Sequence, residues 1–175
     1  MNQIILAGFG GQGILFAGKL LAYAGMLEDR EVSWLPSYGP EMRGGTANCH
    51  VIISKQPVAS PIIQHPDVLI ALNGPSLKKF IDEVEPGGIV FYDSSIIHTT
   101  ITRSDVKVVP IPATQIATDM GARSLVNMVA LGKVIKETEI FTLDELKNAM
   151  KKSVSAAKEK LVALNNQAID AGYHY

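Results

Sequence analysis

Cysteine occurs once in the 175 residues, at position 49. One thiol cannot close an internal disulfide, and it cannot supply the four thiolates of an iron–sulfur cluster or of a four-cysteine zinc site. A lone cysteine also suits a reducing compartment, so a cytoplasmic location is expected. An excess of either charge is missing too: 16 Lys and Arg stand against 17 Asp and Glu, for a formal net charge of −1. No global field draws in a polyanion. The basic run at Lys151, Lys152, Lys158 and Lys160 is interrupted by Glu159 on an amphipathic stretch, and reads as solvated helix face rather than a nucleic-acid patch. No run of 18 apolar residues exists, and Gly, Gln and Lys19 break up the first stretch, so neither a membrane span nor a signal peptide is expected. The histidines at 50, 65, 98 and 174 lack metal-ligand spacing. No metal site is expected.

What the chain does have is apolar material in short alternating blocks. Hydrophobic residues make up 47% and charged ones 19%, which suits one sizeable core whose buried strands consume much of the sequence, or a surface partly covered by other protein. Strands are expected at Gln3–Phe9, Glu31–Pro36, Ala47–Ser54, Val68–Leu72, Ile89–Tyr92 and Val106–Val109. Ile14–Ala24 is apolar nearly all round, as in a helix packed between a sheet and something else. A short helix near Ser76–Val84 starts at Pro75, a residue suited to a first turn. Ala47–Ser60, with its Lys55-Gln56-Pro57 break, could form an antiparallel edge hairpin. After Val109 the chain reads as helical: Asp119 is expected to cap a helix through Ile135, and Thr142 with Glu145 has the form of a capping box. In the last helix Val154, Ala157, Leu161, Leu164 and Ala168 recur at spacings of three and four. The expected fold is a three-layer α/β/α domain covering residues 1–175, with a largely parallel, mixed sheet, a Rossmann-like start and a helical C-terminus.

Between the first strand and first helix stands Gly8-Phe9-Gly10-Gly11-Gln12-Gly13, a G-x-G-x-x-G in the strand–turn–helix context that the motif requires. Glycines permit positive φ and close approach, and the helix N-terminus offers unpaired N–H groups to an anion. Three readings stand: a dinucleotide, another phosphate-bearing ligand, or close packing of the helix or a partner. Two features weigh against a dinucleotide or a P-loop. The second strand ends Trp34-Leu35-Pro36-Ser37 with no carboxylate for a ribose, and no Lys followed by Ser or Thr comes after Gly13.

A second loop, Ser37–Thr46, holds Glu41 and Arg43 between Pro40 and the Gly44-Gly45 pair. Arg43 could bind a carboxylate or phosphate in a bidentate way, or pair with Glu41. Elsewhere the candidates read as structural. Cys49 is expected to be a buried core thiol, with His50 on the opposite strand face, and Asp93 a cap or turn residue. Asn165 and Asn166 are expected to face solvent. No nucleophile, base and orienting group converge, so no catalytic residue is expected and the isolated chain should have no turnover.

The GFGGQG turn at Gly8–Gly13, the YGPEMRGG loop at Tyr38–Gly45, and IPAT at Ile111–Thr114 followed by Gly121 and Asn127-Met128 together resemble the gamma subunit or gamma domain of 2-oxoacid:ferredoxin oxidoreductases. The likeness runs from Gln3 to about Lys133, and is nearest to gamma chains serving 2-oxoglutarate. It implies oxidative decarboxylation of a 2-oxoacid with coenzyme A, giving an acyl-CoA and reduced ferredoxin. It also implies alpha and beta companion subunits carrying thiamine diphosphate, a ferredoxin-like delta subunit, and iron–sulfur clusters outside this chain, which stably holds no cofactor alone. Gly8, Gly10, Gly11, Gln12, Gly13, Glu41, Arg43, Gly44 and Gly45 become the candidate coenzyme A-binding residues. A self-sufficient nucleotide-binding enzyme or regulator, and a purely structural interaction module, are the alternatives; a homodimer of the free chain is compatible with each.

Overall fold

The computed structural model describes residues 1–37, 46–154 and 159–175. Six strands form one sheet: β1 (Asn2–Phe9), β2 (Glu31–Ser37), β3 (Thr46–Ser54), β4 (Val68–Ala71), β5 (Ile89–Asp93) and β6 (Lys107–Ile111), in the order β2-β3-β1-β4-β5-β6. The β1, β4, β5 and β6 strands are parallel neighbours, while β3 runs antiparallel to both β1 and β2. The sheet is therefore mixed, as the alternating apolar blocks imply. One expectation is corrected. β3 does not start an edge hairpin with residues 55–60; it pairs on both sides, and β2 is the edge strand at this end of the sheet. The Lys55-Gln56-Pro57 break ends the strand, because Pro57 has no N–H for a ladder.

Helices cover both faces unequally. Helix α1 (Ile14–Leu27) lies on β1, β2 and β3 and touches α5 (Leu143–Ser153) on its outer side. Its apolar girth reflects this double cover: Leu20 and Leu21, consecutive and so turned well apart around the helix, are both sealed. The same face carries α3 (Ala113–Asp119), α4 (Val126–Thr138) and α6 (Glu159–His174) over Ile4, Leu6, Val51, Ile70 and Phe91. The other face holds α2 (Gly74–Phe80), a 3-10 turn at Ile81–Glu83, and the segments around Ile63 and Ile97, packed on Ile5, Ala7, Leu69 and Val90. The Thr142 capping box is present in both directions, 3.2 Å from Glu145 N–H to Thr142 Oγ1 and 2.7 Å from Thr142 N–H to Glu145 Oε2. Glu137 on α4 binds Lys107 of β6 at 2.8 Å and Lys133 at 2.9 Å, and the two ammonium groups hold its carboxyl down at about 2.

Two helix expectations differ from the structure. Asp119 is the last residue of α3 and caps nothing; a 3-10 turn at Arg123–Leu125 intervenes before α4 begins. The buried stripe of α6 is Asn165, Ala168, Ile169 and Gly172, whereas Leu161 and Leu164 remain exposed at 45% and 36%. Val154 lies beyond the end of α5 rather than in the last helix, and Ala157 is outside the described residues. The reason is the approach of α4 to α6. A Cβ on Gly172 would strike the Val129 carbonyl oxygen, and one on Gly132 the Ile169 carbonyl oxygen. Backbones this close require glycine at the crossing point, and turn the Gly172 side of α6 rather than its leucines toward α4. Gly132→Ala and Gly172→Ala are each expected to destabilise the chain by about 1–3 kcal/mol through overpacking, read as lowered urea midpoints with unchanged slopes.

Candidate functional site

The carboxyl ends of β1, β4, β5 and β6 share one edge of the sheet, where open α/β sheets place their ligands. Register puts Phe9 beside Thr46 and Ser37 beside Asn48, so both ends of the 38–45 segment join this edge. Glu41, Arg43, Gly44 and Gly45 themselves lie outside the described residues.

The glycine turn is tied down by one side chain. Gln12 Oε1 accepts the Phe9 N–H at 2.6 Å, and Gln12 Nε2 donates to the Leu72 carbonyl at 2.9 Å, joining β1, the start of α1 and the end of β4. Gly8 makes room for it, since a Cβ there would lie 2.6 Å from Gln12 Oε1. Gly13, in the left-handed region at φ +69°, begins α1, and its carbonyl accepts Asn127 Nδ2 at 3.0 Å. Gly11 has φ +93° and open space beyond it, so conformation and not crowding demands glycine there. Gly10 and Gly11 form the exposed part of the turn. The packing reading thus accounts for Gly8 and Gly13, and a ligand would meet Gly10 and Gly11. β3 stands between β1 and β2, which removes the second strand from the position where a dinucleotide fold uses its acidic residue.

Beside the turn, a cleft of about 500 Å³ is lined by Phe9, Gly11, Gln12, Ile96, Thr114 and Arg123, among others. Arg123 is the one charged side chain lining it, and no carboxylate opposes it among the described residues. Sequence reasoning missed Arg123; the signal was its position between Gly121 and Asn127. Thr114 of the IPAT segment is held here by Asp93, which is fully buried at the end of β5. Asp93 Oδ2 accepts from Thr114 N–H at 3.1 Å and Thr114 Oγ1 at 2.5 Å, and Oδ1 accepts from Ser95 N–H at 3.0 Å. Asp93 is therefore the turn-holding residue that sequence suggested. A second cleft, about 440 Å³, lies on the other side of Gly13 between Phe16, Leu125 and Leu161, with Ser124 shared by both. A larger depression of about 670 Å³ sits away from this edge, beside Gln3 and Asp67, whose carboxylate is committed to the Gln3 N–H at 2.8 Å.

The reactive candidates stay apart. Cys49 is sealed under α1 against Gly18, and burial pushes its thiol up to about 12, so it is neither nucleophile nor metal ligand. His50 points to the opposite face, where Nδ1 accepts the Ile63 N–H at 3.1 Å and burial lowers its pKa. Among the described residues no group of three or more His, Cys, Asp or Glu could hold a metal ion, and no helix is long and apolar enough to cross a membrane. Asn165 corrects an expectation: it is buried at 4% exposure, with Nδ2 donating to the Leu161 carbonyl, while Asn166 is the partner facing outward in part.

Residues 3–175 match the family described as Pyruvate ferredoxin/flavodoxin oxidoreductase. The chain is 43% identical over 97% of its length to ketoisovalerate oxidoreductase subunit VorA of Methanothermobacter thermautotrophicus, but spans only 35% of that relative. It is 36% identical over 98% of its length to 2-oxoglutarate synthase subunit KorC of Methanocaldococcus jannaschii, covering 92% of it. Among solved structures, the gamma subunit of a keto/oxoacid ferredoxin oxidoreductase from Geobacter sulfurreducens superposes with TM-score 0.85 at 27% identity, covering 99% of this chain and 97% of that one. A 2-oxoglutarate:ferredoxin oxidoreductase from Magnetococcus marinus, with 2-oxoglutarate, coenzyme A and succinyl-CoA bound, gives TM-score 0.89 at 28% identity over 99% of this chain and 30% of that one.

Two measurements check the site's construction. Asp93→Ala leaves three donors without their acceptor and is expected to cost about 3 kcal/mol, visible in chemical unfolding. Cys49 binds its proton more tightly folded than unfolded, so its contribution is complete below its ordinary value of 9.0 and is lost as pH rises from there toward about 12. The stability difference between the wild type and Cys49→Ala should fall by about 1.4 kcal/mol per pH unit above pH 9, and stay flat below it.

Proposed function

The chain belongs to the pyruvate ferredoxin/flavodoxin oxidoreductase family, and on that premise we propose that it is the gamma subunit of a 2-oxoacid:ferredoxin oxidoreductase. Such a complex converts a 2-oxoacid and coenzyme A to an acyl-CoA and carbon dioxide, passing two electrons to ferredoxin. The observation that carries the reading is the near end-to-end match to a free-standing KorC subunit, together with a cleft at the glycine turn whose one charged side chain among the described residues is Arg123. Residues 1–175 act as one gamma-type domain, positioning a co-substrate for chemistry performed elsewhere in the assembly.

The chain's own groups do not fit the redox and thiamine cofactors of such complexes. Its single thiol is buried and stays protonated, and no thiamine-type G-D-G with a following Asn pair occurs in the sequence. Thiamine diphosphate and the clusters belong to alpha, beta and delta companions. At the edge described above, the backbone N–H groups of Gly10, Gly11 and Gly13 and the guanidinium of Arg123 provide for phosphate groups of coenzyme A; Glu41, Arg43, Gly44 and Gly45 stay candidates on the sequence alone. 2-Oxoglutarate is the favoured substrate, through the KorC match. The 43% identity to a ketoisovalerate subunit favours a branched-chain 2-oxoacid as the second reading.

Co-expression with the companion subunits, followed by 2-oxoacid-dependent ferredoxin reduction, tests this. The assembled complex should be active and the isolated chain inactive; full activity of companions lacking this chain would remove the proposal. Arg123→Ala and Arg43→Ala should each raise the KM for coenzyme A about tenfold or more, with the KM for the 2-oxoacid unchanged.

A further inference from the structure

Apolar side chains stay exposed on α1 and α6: Phe16 at 40%, Leu161 at 45% and Leu164 at 36%. Phe16 and Leu161 line the same cleft of about 440 Å³, together with Leu125, and no charged side chain is among its described lining residues. In a chain with 33 ionisable Lys, Arg, Asp and Glu side chains, that neutrality sets the cleft apart. Its amides are also oriented. Asn127 Nδ2 donates to the Gly13 carbonyl at 3.0 Å and Asn165 Nδ2 to the Leu161 carbonyl at 2.7 Å. Asn127 Oδ1 is buried with no hydrogen-bond partner among the described residues. An apolar, uncharged centre with an aromatic residue has the composition of an interface core.

The lengths of the relatives say what covers it. The region similar to this chain makes up 35% of VorA and 30% of the Magnetococcus marinus chain, so in those proteins the same domain shares a polypeptide with a larger remainder. In KorC and in the Geobacter sulfurreducens subunit it stands free, at 92% and 97% of the chain. A free-standing domain has to hold by surface contact what a fused one also holds by a peptide link. We propose that the α1–α6 cleft is the docking site for the companion subunit equivalent to that remainder, filled by an apolar, uncharged segment. The proposal rests on the oxidoreductase-subunit reading above. Ser124 lines both this cleft and the one holding Arg123, so a segment seated here ends beside the co-substrate edge and closes it from one side.

The test measures binding of the purified companion subunits to the full chain carrying Leu161→Glu or Phe16→Glu, with Ile62→Glu on the opposite sheet face as control. Both cleft residues are exposed, so the free variants should melt as the wild type does. Assembly should weaken about tenfold or more for the cleft variants and be unchanged for the control. Wild-type affinity in both cleft variants overturns the proposal. So does loss of self-association in sedimentation with companion binding intact, which makes a second copy of this chain the occupant. Failure of the wild-type chain itself to bind the companions instead removes the oxidoreductase-subunit reading, and this inference with it.

Discussion

The fold depends on keeping β1 dry on both faces while its end stays open to solvent. Ile4, Ile5, Leu6 and Ala7 have essentially no exposure, and four neighbouring elements share the work of covering them. Burying such side chains is worth about 1.5–3 kcal/mol each, which fixes β1 in place and makes its last residues a rigid platform. Everything functional at the edge is referenced to that platform. Gln12 hangs from the Phe9 N–H, β4 hangs from Gln12, and α1 begins where the turn releases it.

A second constraint follows from how closely α1 lies on β3. Gly18 sits over Cys49, whose Sγ would collide with any Cβ at that position, and Gly25 approaches Val32 in the same way. The helix can rest this low only because both positions lack a side chain. Its N-terminus is thereby brought to the level of the sheet edge, so that Gly10–Gly13 and the ends of β4 and β5 face one common space. Asp93 does for α3 what Gln12 does for α1: each is a polar side chain that anchors a helix start to a strand end through main-chain donors or acceptors.

Much of this was legible in the residues. The six strand blocks, the wrapped first helix, the Thr142 capping box, the buried thiol and its neighbour His50 on the opposite sheet face all stand where apolar spacing and local chemistry place them. The misses have one physical source. Local pattern does not reveal which strand inserts between two others, so β3 between β1 and β2 was not foreseen from Ala47–Ser54 alone. Nor does a three-and-four spacing choose between two stripes of one helix. In α6 the leucines follow the period, but the partner helix comes so near that only Ala168, Gly172 and their neighbours fit. Arg123 escaped notice because a single arginine carries no pattern. Only the folding of the 3-10 turn beside the glycine loop brings it to the cleft there.

The edge strand has a consequence for how the molecule behaves in a crowd. β2 is paired on one side alone, to β3, among the described residues. An unpaired strand edge is a template on which a foreign strand can crystallise. This one is poorly written as a template: Pro36 has no N–H to offer, and Glu31 at the other end brings a charge. This rim of the sheet therefore carries its own termination signal in two side chains, and β6 at the opposite rim repeats the device with Lys107 and Pro110.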